Sequence, residues 1–132
     1  MSDELVGLRD RLREFARARD WDQFHTPKNL SMALIAEAAE LVEHFQWLTP
    51  EQSADLPPEK VAAVRHELAD ILVYLVRIAD KLNVNLLAAA EEKMAINEHR
   101  YPADRVRGDA RRAAEYESRA ASDEQLSKSS PD

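Results

Sequence analysis

The chain has 132 residues, 45% hydrophobic and 33% charged, with two glycines, no cysteine and a formal net charge of −7. That length supports one folded domain with a modest core. The missing cysteines exclude disulfides and thiol chemistry, and the acidic balance argues against a nucleic-acid polymer as partner. No apolar run approaches a membrane span, and the opening MSDELVGLRD is unlike a signal peptide, so no membrane partner and a cytoplasmic location are expected. Two glycines are too few for a hairpin-rich fold. Ala, Leu, Glu, Arg and Lys, which favour helices, dominate. The expected fold class is all-α.

In chain order, residues 3–22 read as a first helix, with Leu5, Leu8, Leu12 and Phe15 at spacings of three or four. Asp22–Thr26 breaks it. Thr26 is a natural N-cap with Pro27 at the first helical position, and a second helix to about Leu48 is expected to bury Leu34, Ile35, Ala38, Leu41, Val42 and Phe45. Thr49-Pro50-Glu51-Gln52 has the pattern of a capping box. A third helix, about Glu59 to Leu82, carries Val61, Val64, Leu68, Ile71, Leu72, Leu75 and Ala79 on one face. Asn85 is a fair cap for a fourth helix, Leu86–Arg100, which Tyr101-Pro102 ends. Residues 1–108 are read as the folded domain. Residues 109–132 are charged and small, with a marginal helix over 110–120 and a largely disordered end. Four helices with short connections suggest a bundle, completed in an oligomer.

Two acid pairs carry the chemistry: Glu37-x-x-Glu40 in the second helix and Glu67-x-x-Asp70 in the third. Stepping about 100° per residue puts Glu37 and Glu67 at the edges of the apolar stripes, with Glu40 and Asp70 further out. If the two helices pack side by side, four carboxylates converge on one half-buried seam. Their repulsion in a low dielectric calls for a cation. Oxygen ligands without cysteine point to Mg2+, or Mn2+ in its place. Magnesium typically takes few carboxylates together with substrate phosphates, which makes a triphosphate a natural guest. The alternative for each pair is an ordinary solvated helix face. His44, His66 and His99 lie near acids, but neither pair has the Glu-x-x-His spacing of di-iron bundles.

The acid pairs, separated by the 26 residues Leu41 to His66, resemble the signature of the MazG-like pyrophosphohydrolases. The resemblance extends to the run Arg19–Leu30 (RDWDQFHTPKNL), to Glu37–Trp47, to Glu67–Tyr74 and to Lys93–Pro102 (KMAINEHRYP), blocks similar to the dCTP pyrophosphatase branch. Ala39 stands where family members often have Gly, and the tail after Gly108 matches nothing in the pattern. The resemblance implies an all-α nucleoside triphosphate pyrophosphatase fold, a homo-oligomer (a tetramer) with its site near subunit contacts, and hydrolysis of dCTP or a related nucleotide to monophosphate and pyrophosphate, in nucleotide-pool sanitation. It implies that Glu37, Glu40, Glu67 and Asp70 are catalytic and hold the metal, and that Lys93, Asn97 and Arg100, spaced i, i+4, i+7 on one helical stripe, bind phosphates, with Tyr101 as a further substrate contact. Trp21, His25, Trp47 and Tyr74 would bind the base. The bland alternatives are a solvated stripe for Lys93, Asn97 and Arg100, core anchors for Trp21 and Trp47, a loop or capping residue for His25, and a packing residue for Tyr101. Competing readings of the whole chain are a phosphoribosyl-ATP pyrophosphohydrolase-like enzyme and a non-catalytic helical interaction module.

Overall fold

Residues 3–112, 114, 115 and 125 are described by the structure, a computed structural model. Among the described residues six helices follow in chain order: α1 (Asp3–Ala18), α2 (Pro27–Glu43), α3 (Pro50–Ser53), α4 (Pro58–Lys81), α5 (Leu86–Arg100) and α6 (Ala103–Val106), with a 3₁₀ turn over Asp22–Phe24. No strand occurs among the described residues, and no helix there is long and apolar enough to cross a membrane. The expected helix over 110–120 and the tail beyond it fall mostly outside the described residues.

The caps follow local chemistry. The Thr26 hydroxyl accepts the Asn29 N–H at 3.2 Å and Asn85 Oδ1 accepts the Ala88 N–H at 3.1 Å, each satisfying a donor left open at a helix start. Thr49 and Gln52 bond reciprocally, 2.9 and 3.2 Å, as a capping box that starts α3.

Two helix ends differ from the periodicity reading. The apolar repeat runs on through Trp21, yet α1 stops at Ala18 because Asp20 adopts φ 53°. Trp21 N–H then donates to Ala16 C=O (2.9 Å) and Asp20 N–H to Arg17 C=O (3.1 Å), a Schellman closure on an Asp. Asn83, φ 54°, ends α4 the same way, with Val84 N–H on Ala79 C=O at 2.8 Å. Asp and Asn tolerate this left-handed backbone better than other non-glycine residues, so a chain with two glycines can still turn sharply. The second difference is at α2, which ends at Glu43 rather than near Leu48. His44–Trp47 form turns that lead into the Thr49 cap.

The structure divides into two compact units, Met1–Ala89 and Ala90–Asp132, with the boundary inside α5. In the first, α4 packs on α2 most extensively and on α1. The α2–α4 pairing is antiparallel: His25, just before α2, meets Arg77 near the end of α4, while His44, just after α2, lies beside Glu67. The buried apolar residues are Ala16 of α1, Leu30 of α2, and Val76 and Ala79 of α4. The expected stripes are only partly covered. Leu34, Ala38, Leu41 and Phe45 are half-buried, but Ile35 and Val42 are 67% and 56% exposed. Val61, Leu68, Leu72 and Leu75 of α4 are also exposed. The apolar arc on each helix is wider than the seam between α2 and α4 covers.

Leu30 is 1% exposed and is the largest side chain fully buried among the described residues. Leu30→Ala should therefore cost about 2–5 kcal/mol in urea denaturation. A loss well under 1 kcal/mol would place the core elsewhere.

Candidate active site

The antiparallel seam brings the acid pairs of α2 and α4 together. One carboxylate oxygen from each of Glu37, Glu67 and Asp70 lies within 4.8 Å of the other two. Glu40, three residues after Glu37 on α2, is close enough to act on the Glu37 carboxyl. Glu37 and Glu67 are half-buried; Glu40 and Asp70 face solvent. The inner oxygens, Glu37 Oε2 and Glu67 Oε2, are buried without a hydrogen-bond partner. Burial, followed by the neighbouring Glu40, Asp70 and Glu67 carboxylates, pushes the Glu37 carboxyl from 4.5 up to about 7.

Exposed acids cluster commonly on helices and need no ligand. Two buried oxygens with no donor are different, because an unsatisfied buried polar group is costly. A hard divalent cation satisfies oxygen lone pairs and offsets the mutual repulsion. The residues present therefore fit such an ion, with Glu37 and Glu67 inside and Glu40 and Asp70 at the rim. His44 Nε2 stands 3.6 Å from Glu67 Oε1.

Around this seam the aromatic candidates are dispersed. Tyr74 is half-buried one turn after Asp70. Trp47 is 87% exposed, which removes the core-anchor alternative for it within one chain. Trp21 is 46% exposed and packs edge-on against Phe15, ring centroids 5.9 Å apart. His25 is half-buried and accepts at Nδ1 from the Arg77 guanidinium, 3.3 Å from Nε. His25 and Trp47 flank opposite ends of α2, whose 17 residues span about 25 Å. Lys93, Asn97 and Arg100 belong to the second unit, all exposed on α5. There Tyr101 N–H donates to Asn97 C=O at 2.8 Å, and the Arg100 guanidinium lies 5.8 Å from the Tyr101 ring centre.

The MazG-like family matches residues 33–115, which include both acid pairs. The chain belongs to the MazG-like family. It is 44% identical over 114 residues to dCTP pyrophosphatase 1 of Homo sapiens, an alignment covering 85% of this chain and 67% of that protein. The Mus musculus protein of the same name is 46% identical over 74% of this chain and 58% of its own length. The chain thus spans roughly three-fifths to two-thirds of these curated relatives. A crystal structure of a pyrophosphatase from Archaeoglobus fulgidus shares the fold with a TM-score of 0.73 and 37% identity, covering 77% of this chain and 95% of that one. The matched residues thus include the carboxylates that the fold clusters on the seam.

Two residues at the seam and its far end escaped the sequence reading as site candidates. His44 lies seven residues after Glu37, about 20° away in helical azimuth. That periodicity was a usable signal. Arg77 gave none, since a charged residue within a helix reads as exposed, whereas it is 3% exposed.

The raised Glu37 carboxyl has a consequence for stability. Between about 4.5 and about 7 the folded metal-free protein holds a proton that the unfolded chain has lost. This contribution is full below the lower value and is lost as pH rises through the upper one. Relative to Glu37→Gln, the metal-free wild type should lose thermal midpoint from pH 5 to pH 8, and saturating Mg2+ should flatten the difference. A wild type that gains on the variant over that window would contradict the placement of Glu37.

Proposed function

We propose that this chain hydrolyses dCTP, or a closely related modified nucleotide, to the monophosphate and pyrophosphate, serving nucleotide-pool sanitation. The observation that carries the reading is the half-buried carboxylate cluster with two orphaned oxygens, in a chain 44% identical to a dCTP pyrophosphatase. Glu37, Glu40, Glu67 and Asp70 would hold Mg2+, with Mn2+ as substitute. When bound, the ion supplies charge neutralisation for the polyphosphate and acidifies water. The protein's own part is to fix the acids on two packed helices. Either Glu37 or Glu40 would accept the proton of the attacking water as the bond to the α-phosphorus forms, and pyrophosphate leaves.

Lys93 and Arg100 would bind phosphates as a point charge and a planar fork, with Asn97 between them. Tyr101 would make a further substrate contact. Trp21, His25, Trp47 and Tyr74 would meet the base. Because His25 and Trp47 flank a helix about 25 Å long, more than a nucleotide's length, one chain cannot close both around one base. A homo-oligomer, a tetramer in this reading, would bring one subunit's Trp47 toward another's Trp21 and His25. The exposed apolar residues of α2 and α4 support such an assembly. The expected compartment is the cytoplasm.

Incubation of dCTP with the protein and Mg2+ should release monophosphate and pyrophosphate as initial products. Diphosphate with free phosphate would refute the assigned bond. Glu40→Ala and Asp70→Ala should each lose at least about a hundredfold in rate with helicity intact, since even outer-shell partners of a metal ligand are worth roughly 10–100-fold. Near-normal rates in both would remove the site.

Trp47→Ala should lower kcat/KM for dCTP by about ten- to a hundredfold, mainly through KM, on the scale of base–aromatic stacking. Preference among bases should flatten while Mg2+ dependence holds. An unchanged base preference would refute the stacking role.

A further inference from the structure

At the end of α4 away from the acid seam lies a second charged cluster, and in it the cations are paired. Arg77, 3% exposed, donates from Nη2 to Asp22 Oδ1 at 3.0 Å and sits 3.5 Å from Asp80. Lys81 Nζ donates to the same Asp22 oxygen at 2.6 Å, and Arg13 Nε to Asp80 Oδ2 at 2.7 Å. These bonds tie α1 and the 3₁₀ turn to α4 and hold the Arg77 guanidinium in place.

The guanidinium also faces His25 Nδ1, at 3.3 Å from Nε and 3.2 Å from Nη2. An arginine has donors only and does not lose its charge in proteins. The atom opposite must therefore offer a lone pair, so Nδ1 is unprotonated and the neutral ring carries its hydrogen on Nε2. Turning the ring over would set a carbon–hydrogen edge against the cation, so the orientation is fixed as well. Burial, then the Arg77 and Lys81 charges, hold His25 below its ordinary pKa against the pull of Asp22, which keeps the ring neutral near pH 7.

We propose that Arg77 is a positioning residue: it fixes His25 as the Nε2–H tautomer, so that the ring meets the nucleotide as a hydrogen-bond donor, to an acceptor such as a pyrimidine carbonyl. This rests on the nucleotide reading above, in which His25 lies at the base. The span is right. Arg77 follows Asp70 by seven residues and Glu67 by ten, about 10–15 Å along α4, the scale from bound phosphates to a base. A fixed donor also discriminates, since a base that turns a donor toward it leaves two hydrogens opposed.

The test uses 15N-histidine-labelled protein and long-range 1H–15N correlation, which reports which ring nitrogen of His25 carries hydrogen. Wild type should show Nε2–H only; Arg77→Met should show a mixture of tautomers, while Arg77→Lys, retaining a donor, restores part of the wild-type pattern. In kinetics, Arg77→Met should raise KM for dCTP about three- to tenfold, the scale of one hydrogen bond, with little change in kcat. An unchanged tautomer in folded Arg77→Met overturns the proposal. So does a changed tautomer with unchanged KM. If Arg77→Met does not fold, His25→Gln and His25→Phe decide: both should raise KM, but the Gln amide retains a donor near the Nε2 position and should raise it severalfold less than Phe. Equal KM in those two variants overturns the donor role. Failure of the wild type to hydrolyse dCTP would sink the functional reading on its own, and the tautomer spectra would still report whether Arg77 fixes His25.

Discussion

The antiparallel packing of α2 on α4 is the constraint on which the rest of the first unit depends. It sets Glu37, Glu67 and Asp70 within 4.8 Å of one another, an arrangement that charge alone opposes. The opposition is overcome at a distance, by apolar burial of Leu30, Val76 and Ala79 toward the other end of the same helix pair. Hydrophobic burial is non-directional and set by area, so it can hold the helices in register while the acids repel. The cost appears locally instead: burial, then the neighbouring acids, pushes the Glu37 carboxyl up to about 7, and two inner oxygens are left without donors.

The two ends of the pair handle buried charge in opposite ways. Around Arg77 the protein supplies both signs: Asp22 and Asp80 face Arg77, Lys81 and Arg13. A buried ion is tolerable when its partners are in place, and this end is complete within one chain. At the acid seam His44 Nε2 stands 3.6 Å from Glu67 Oε1, and no Lys or Arg ion pair joins the acids among the described residues. In the proposed reading a divalent cation supplies the charge balance there, which would make it a site rather than a structural network.

The covered area of α2 and α4 is smaller than their apolar area. Ile35, Val42, Leu68 and Leu72 face outward, and Trp47, just beyond α2, is 87% exposed. A scattering of exposed apolar residues is ordinary on a monomer; a run of them on two adjacent helices is characteristic of a surface used for association. The aromatics proposed to read the base, at opposite ends of α2, fit the same picture, with the proposed pocket closed between subunits.

The sequence by itself determined what local chemistry controls. Helix periodicity, Thr26, Thr49 and Asn85 as caps, and the two acid pairs on facing stripes were all readable, because each depends on residues within a turn or two. The family blocks carried the nucleotide chemistry. Three things belonged to tertiary structure. Asp20 could end α1 early only because its left-handed backbone closes onto carbonyls that the periodicity does not reveal. Ile35 and Val42 look like core in a helical stripe, but which part of a stripe is covered depends on the width of the facing helix. Arg77 is a polar residue in the sequence and a buried one in the fold, since its burial is made tolerable by Asp22, fifty-five residues away, and by a histidine that precedes another helix. Short-range hydrogen bonding and periodicity are written in neighbouring residues; the pairing of buried charges is decided only when distant segments meet.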